Sequence, residues 1–481
     1  MAGPVSMPVI GTVFQWYALA TQKNCLQTMQ AIIEPHWPQL SRLSLLNRLY
    51  VIVNDADHLE KVLRDRDLTT KPWFFYGPLK GVLKDGIFTN NGSTWEAHRT
   101  AITPAFHRQV LEGYAEILKE ESLKITNDIS NFIGTDLDCR EIMTRCTSLI
   151  SVRTMFSSSI DKEDQTDVDE LVEEIDRIVT NINQRSVNPL LWPDWIYERT
   201  QMYQKEIEFG GKATKLIERI VHRKTTEINQ RATWSQTAKL GCKDKKSLLD
   251  MLVERKLMGE LDMTAEDILI EATTMFGSAI HTPPLTATFI LKVLSLRPDI
   301  QERVYAEICN VFHEEQKEWS YDDLSRLQYM DRVINEALRM FPVAPFILRE
   351  VKKDMEIDNK HIPAGTVLML NLMGVHRSAR YHKNPLHFDP DRFLPERAGD
   401  FHPYSFLPFS SGPRNCVGQP LAWMMVKTLL VTTLRAFEIF PAADGVTDPS
   451  QFEVNMDLMI NYVGGAKVRL VPRKASLAAR E

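Results

Sequence analysis

Apolar positions along this chain recur mostly every three or four residues, which predicts a mainly helical protein. The run Leu49-Tyr50-Val51-Ile52-Val53 reads as a strand, and Asn54-Asp55 then hands over to a helix carrying His58, Leu59, Val62 and Leu63. From Lys71 to Asn91 aromatics alternate with Gly and Pro, which predicts irregular structure of the kind that borders pockets. Residues 110 to 180 are helical and acidic in pattern, and the charges between Asp161 and Asp176 predict a solvated face. Thr264-Ala265-Glu266-Asp267 has the form of a capping box. It opens a helix of roughly thirty residues that runs to Leu296, where Arg297-Pro298 stops it. Pro283 and Pro284 lie in its middle and remove the amide donors for the Ala279 and Ile280 carbonyls, so a kink is expected beside Thr282. Further helices are predicted after Ser320-Tyr321-Asp322-Asp323, over Tyr329–Met340, and from Pro420 to Leu434. Strand patterns are fewer: Ile362–Val367 opens a hairpin pattern, and Met459–Val463 and Val468–Val471 flank Gly464-Gly465, a hairpin signal. The polar stretch from Asn229 to Lys246 reads as a surface loop, and the residues beyond Arg473 as a tail.

Composition narrows the field. The 481 residues are 44% hydrophobic and 25% charged, an ordinary globular balance. Lys plus Arg number 57 against 63 Asp plus Glu, a net charge of −6, so the basic excess that nucleic-acid binding needs is absent. Cys25, Cys139, Cys146, Cys242, Cys309 and Cys416 are scattered without paired spacing, which argues against a disulfide framework and for a reducing compartment. No stretch reads as the roughly 18 to 20 apolar residues that span a bilayer. The aromatic run from Pro189 through Trp192 and Trp195 to Tyr197 is too short to cross one, and suits either core packing or a loop that touches a membrane.

The stretch with the most chemistry is Phe409-Ser410-Ser411-Gly412-Pro413-Arg414-Asn415-Cys416-Val417-Gly418. One cysteine sits between glycines, an arginine lies two residues before it, and a helix follows. Amide N–H groups aimed at the sulfur, the positive end of that helix and a metal all favour thiolate over thiol. Gly412 and Gly418 let the chain turn sharply against a flat cofactor. Arg414 offers a fork of donors to a carboxylate. Elsewhere, Trp95 and Arg99 are spaced i, i+4 on one helical face, where an indole N–H and a guanidinium can serve one carboxylate. In isolation that pair reads equally as a tryptophan packed beneath an arginine stem. Glu336 and Arg339, at i and i+3, share a face and can pair.

The ten residues around Cys416 match F-x-x-G-x-R-x-C-x-G at every fixed position, Phe409, Gly412, Arg414, Cys416 and Gly418, and so resemble the heme-binding loop of the cytochrome P450 family. The resemblance extends over nearly the whole chain, with Trp95/Arg99, Thr282, Glu336/Arg339, Arg392 in Phe388–Phe393 and Cys416 in the family's order. It implies one mostly helical domain over residues 1–481 with a smaller β-rich part. It also implies heme b, with Cys416 as its iron ligand and Trp95, Arg99, Arg414 and Arg349 at the propionates. Glu336, Arg339 and Arg392 resemble the family's buried E-x-x-R triad. Ser278 through Thr282 resembles its oxygen-binding helix, small-Gly-x-acid-Thr, with Thr282 matched, Ala279 in the glycine's place and His281 in the acid's. That acid and alcohol relay protons toward dioxygen, so Thr282 and His281 are the catalytic candidates. For each a plainer state is open: a threonine bonded back inside its helix, and a histidine turned into packing or solvent.

Resemblance to the eukaryotic, fatty-acid-hydroxylating branch implies a monooxygenase acting on an apolar substrate (fatty acid, terpenoid, steroid or xenobiotic) with O2. The pattern Tyr329-Met330-x-x-Val333-Ile334-x-Glu336 resembles microsomal members, which implies NADPH-cytochrome P450 reductase as electron donor. It also implies a place on the cytoplasmic face of the endoplasmic reticulum membrane. Residues 1–11 resemble the proline-rich hinge that follows the membrane anchor in such members, with the anchor itself absent. Some branch members ester-link heme to a glutamate where this chain has Ser278, so no such link is expected. The departures at Ala279, His281, Pro283 and Pro284 keep open an isomerase or dehydratase of an oxygenated lipid, and a heme- or ligand-binding protein without turnover.

Overall fold

The computed structural model describes residues 40–45, 48–156, 160–234, 246–312 and 320–473. The hinge at 1–11, the middle of the polar stretch at 229–246 and the tail at 474–481 lie outside them. The fold is mostly helical with a smaller β part, as expected.

Two buried apolar clusters hold it. The larger lies among the long helices, and its centre is Thr282–Leu296, where thirteen of fifteen residues are buried. The smaller lies under a four-stranded sheet in the order 41–45, 48–53, 367–371, 346–350. The pairing of Arg48–Val53 with Val367–Asn371 is parallel, with Val51 opposite Leu368, and the helical body lies between the two in sequence. The sheet therefore joins the first described strands to a segment far along the chain, ahead of the cysteine loop. Its edge strand, Phe346–Glu350, carries Arg349.

The long apolar helix is two helices, Ala265–Ala279 and Thr282–Leu296. The break falls at Ile280–His281, one turn before the prolines, where the ladder loses its donors. Thr264 and Asp267 form the expected reciprocal cap. By length and a mean hydropathy of 1.2 this stretch could cross a membrane, but 83% of its apolar window is buried inside the protein, so it is a core element.

Four expectations are corrected. Gly464-Gly465 does not close a hairpin: Met459–Tyr462 pairs back with Val454–Asp457 through Leu458, whose φ is +63°. Lys467–Pro472 instead joins a second sheet with Asp136–Asp138 and Phe437–Pro441. The glycine pair only redirects the chain, and a Cβ on Gly465 would meet the Asp138 carboxylate at 2.3 Å. The acidic face is not wholly solvated, because Asp164 is fully buried and takes Arg219 at 3.0 Å. Asn229–Trp234 is the end of a helix that begins at Gln201. The aromatic stretch after Lys71 is less irregular than expected, with single-turn helices at Trp73–Tyr76 and Lys80–Leu83.

Candidate heme site

Cys416 is placed by its own loop. Its N–H donates to the Phe409 carbonyl at 3.0 Å, and the helix Gln419–Ala436 begins three residues on, with Pro420 in its first turn. Ser410 and Gly412 take φ of +60° and +73°. Gly412 has a reason other than room for a cofactor. A Cβ there would stand 1.9 Å from the Leu63 carbonyl oxygen, so the loop presses against the end of the first described helix, Ala56–Arg64. Gly418 has an ordinary φ of −81° and lies 4.0 Å from the Cys416 sulfur and the Phe106 ring by the same measure. Phe409 packs its ring toward Trp423, centroids 6.5 Å apart.

Burial pushes the Cys416 thiol up, while hydrogen bonds from the Gly418 and Gln419 amides and the charge of Arg99 pull it down. Burial wins in the protein alone. A cation at the sulfur is what would make the thiolate dominant. Of the described cysteines Cys139 and Cys146 are buried and Cys309 is exposed, while Cys416 lies deep among protein atoms, which is what raises its thiol, yet keeps its side chain accessible from the space beside the loop.

The helix Gly92–Ile102 brings Trp95 and Arg99 to this loop. Arg99 spends two nitrogens on Asn415, reaching its carbonyl at 2.8 Å and its side-chain oxygen at 2.7 Å, so it clamps the residue before the cysteine. Trp95 is buried with the Arg414 guanidinium 4.2 Å above its ring. Arg414 donates to the carbonyls of Thr69, Ile87 and Asn90 and to the Asn91 side-chain oxygen. Arg349 is buried and donates to the Leu348 carbonyl at 2.9 Å.

Lys71 joins them, although nothing in the sequence singled it out. It is buried, donates to the Phe88 carbonyl at 2.7 Å and sits 3.8 Å from the Phe88 ring centre. Burial, and then Arg414 and Arg349, hold its ammonium well below the usual lysine range. Burial and Arg349 bring Arg414 down to about 9. Among the described residues no carboxylate answers Lys71, Arg349 or Arg414. Buried cations without counter-charge are costly unless an anion completes them. A group with a metal for Cys416 and carboxylates for these three cations fits the residues present, and heme b is such a group.

On the split helix, the Thr282 hydroxyl donates to the Ser278 carbonyl at 3.1 Å. His281 is buried, and its Nε2 lies 3.1 Å from Asp176 and 3.4 Å from Arg140, on the helices Lys162–Val187 and Arg140–Met155. Its Nδ1 has no partner. Burial would raise the Asp176 carboxyl, but the His281 hydrogen bond and the Arg140 charge outweigh it and hold it low.

Glu336 and Arg339 are fully buried and bidentate, at 2.7 and 2.8 Å. Arg392 approaches Glu336 at 3.4 Å and is itself held by the Lys383 carbonyl at 2.7 Å. The Asp389 N–H adds a bond to Glu336 at 3.0 Å, and Arg339 reaches the His376 carbonyl. The triad ties its helix to the segment that leads into the cysteine loop.

An accessible thiol under two amides, beside a cluster of cations that lacks an acid, is a donor set that a heme-thiolate group fits. The family model described as Cytochrome P450 matches residues 1–461, and the chain belongs to that family. It is 31% identical over 441 residues to "Cytochrome P450 4c21" of Blattella germanica, covering 90% of this chain and 86% of the relative. It is 28% identical over 481 residues to "Probable cytochrome P450 4aa1" of Drosophila melanogaster, covering 100% and 91%. "Cytochrome P450 4d2" of the same fly is 28% identical over 484 residues, 98% and 94%. The chain is therefore a cytochrome P450 monooxygenase, an oxidoreductase with heme b, O2, a hydrophobic substrate and a redox partner.

Proposed function

We propose that this chain inserts one oxygen atom from O2 into an apolar small molecule (a fatty acid, terpenoid, steroid or xenobiotic), with electrons from NADPH by way of cytochrome P450 reductase. The observation that carries the site's part of this reading is the acid-free cluster of Lys71, Arg349 and Arg414 beside Cys416. Cys416 would hold the heme iron, and those three cations, with Trp95, would hold its carboxylates. Bound there, heme supplies the activation of dioxygen, and a thiolate ligand favours cleavage of its O–O bond. Arg99 keeps the cysteine loop in register by holding Asn415.

Thr282 is the hydroxyl placed to hold or pass a proton at the break of the central helix. Because it donates to Ser278, its lone pairs face outward as acceptors, and it releases its own proton only by breaking that bond. His281 acts as a tie: with its Nε2 turned to Asp176 and Arg140, it fixes the break against two neighbouring helices.

Exposed Trp73, Leu190 and Trp195 support a membrane-facing surface on the endoplasmic reticulum's cytoplasmic side. Arg48 lies over the Trp73 ring and Arg199 over Trp195, a pairing that suits an interface of acyl chains and headgroups. The full chain from 1 to 481 is read as one heme domain. The test is product analysis against a lipid panel in reductase-containing vesicles. Oxygenated product that requires NADPH and reductase supports the reading. Turnover of a lipid hydroperoxide without reductase, and none with it, would favour the isomerase alternative, toward which the turned-away His281 points.

A further inference from the structure

A buried acid on the first half of the split helix is used by none of the groups above. Glu271 is fully buried and takes His98 Nδ1 at 2.6 Å on one oxygen and the Ile87 N–H at 3.1 Å on the other. Three residues on, Thr274 donates to the Leu83 carbonyl at 2.6 Å. Gly86 between them admits no side chain, since a Cβ would meet the Thr274 hydroxyl at 2.0 Å and Glu271 at 3.2 Å. The segment from Gly86 to Asn91 is therefore pressed onto this helix on one side.

On its other side the same segment holds the basic cluster. The Ile87 carbonyl accepts from Arg414 at 3.1 Å, the Phe88 carbonyl from Lys71 at 2.7 Å, and the Asn90 carbonyl from Arg414 at 2.5 Å. One residue, Ile87, thus carries the Glu271 bond on its N–H and the Arg414 bond on its carbonyl. The second oxygen of Glu271 reaches His98, whose neighbour Arg99 clamps Asn415. Both residues that precede Cys416 are located from one carboxylate, by two routes.

We infer that Glu271 and His98 are positioning residues that set the cysteine loop and its cations against the central helix, and so govern how firmly the heme is held. This rests on the heme reading above. The pair is also titratable. The Glu271 hydrogen bond outweighs burial and holds His98 above the ordinary histidine range, with Asp267 at 4.0 Å on the same helix and Asp85 just before the segment adding to it. Arg255, on the helix Leu248–Leu257 packed nearby, is spent on the Ala101 carbonyl. A raised folded pKa means that the pair is complete below about pH 6.5, the unfolded value, and is lost as pH rises through the raised value.

The test is heme release from purified holoprotein to excess apomyoglobin, followed over rising pH. E271Q keeps the volume but cannot accept from both partners, and should release heme roughly 10- to 100-fold faster, the range for removing an outer partner of a metal site. H98Q should show a smaller rise and a weaker alkaline acceleration than the parent, because any share that comes from the depressed Lys71 ammonium is common to both proteins. K292M, which takes the fully buried Lys292 on the second half of the split helix away from the exposed Asp444, is the control for a lost charge on that helix that touches neither the segment nor the cysteine loop, and it should leave release unchanged. Unchanged release and an unchanged pH profile in H98Q, with only its thermal stability lowered, overturn the inference, and H98Q decides if E271Q fails to fold. A parent that takes up no heme defeats the underlying reading instead, and does so before any variant is made.

Discussion

Replacing Glu336 by glutamine changes almost no volume, yet should leave little soluble holoprotein. The carboxylate is fully buried and takes four contacts: two from Arg339, one from the Asp389 N–H and one from Arg392. The glutamine carbonyl can serve one side of this fork, and its amide then faces a guanidinium with a second donor. Breaking a buried ion pair from one side costs about 3 to 5 kcal/mol, because the partner stays charged and uncompensated. Here two arginines would be stranded, so the upper end applies, against a total stability on the order of 5 to 15 kcal/mol. The natural comparison is R303A. Arg303 meets Asp391 at 3.2 Å but is half exposed, and an exposed pair contributes roughly 0 to 1 kcal/mol. Holoprotein yield and the thermal midpoint should be nearly normal for R303A and collapse for E336Q. Equal yields and midpoints for the two variants would refute the reasoning, since the triad would then be as weakly coupled as a surface pair.

Gly412→Ala should sharply reduce heme per protein while leaving the helical signal intact. The new Cβ must displace Leu63, and a left-handed φ adds roughly 1 to 2 kcal/mol for any L side chain, so a normal heme content would show that the loop is looser than the contact implies. His281→Ala should leave product per NADPH close to the parent across pH and cost only some stability through the lost Asp176 bond. A sharp fall in coupling with folding intact would instead make His281 a working base. His281→Asp, which restores the family's usual acid, should not improve coupling, because the position faces Asp176 and a second carboxylate there meets like charge.

Much of the site was readable because its residues are tied to backbone needs that leave local marks. The cysteine loop, Trp95/Arg99 and Glu336/Arg339/Arg392 all sit where their spacing placed them, and the doubled proline announced the broken helix. Partners across the fold were not readable. That Arg99 holds Asn415 and that Gly412 admits the Leu63 carbonyl are contacts no spacing announced. Lys71, Glu271 and His98 carried no local mark beyond being single charged or titratable residues in aromatic or apolar surroundings. A buried acid such as Glu271 in an apolar helix is the signal that could have found them, since it demands a partner from elsewhere. Gly464-Gly465 misled for the converse reason: a turn signal states that the chain bends, and only sheet packing states which strand it bends toward.

The central claim, a thiolate on iron at Cys416, is tested most directly by the absorption spectrum of the reduced holoprotein with carbon monoxide. The parent should show the red-shifted Soret band of a thiolate-ligated heme. Cys416→Ser should lose it, while Cys309→Ser, at the other exposed cysteine of the described residues, should retain it. A parent spectrum like that of a histidine-ligated heme protein, or a thiolate band that survives Cys416→Ser, would contradict the account.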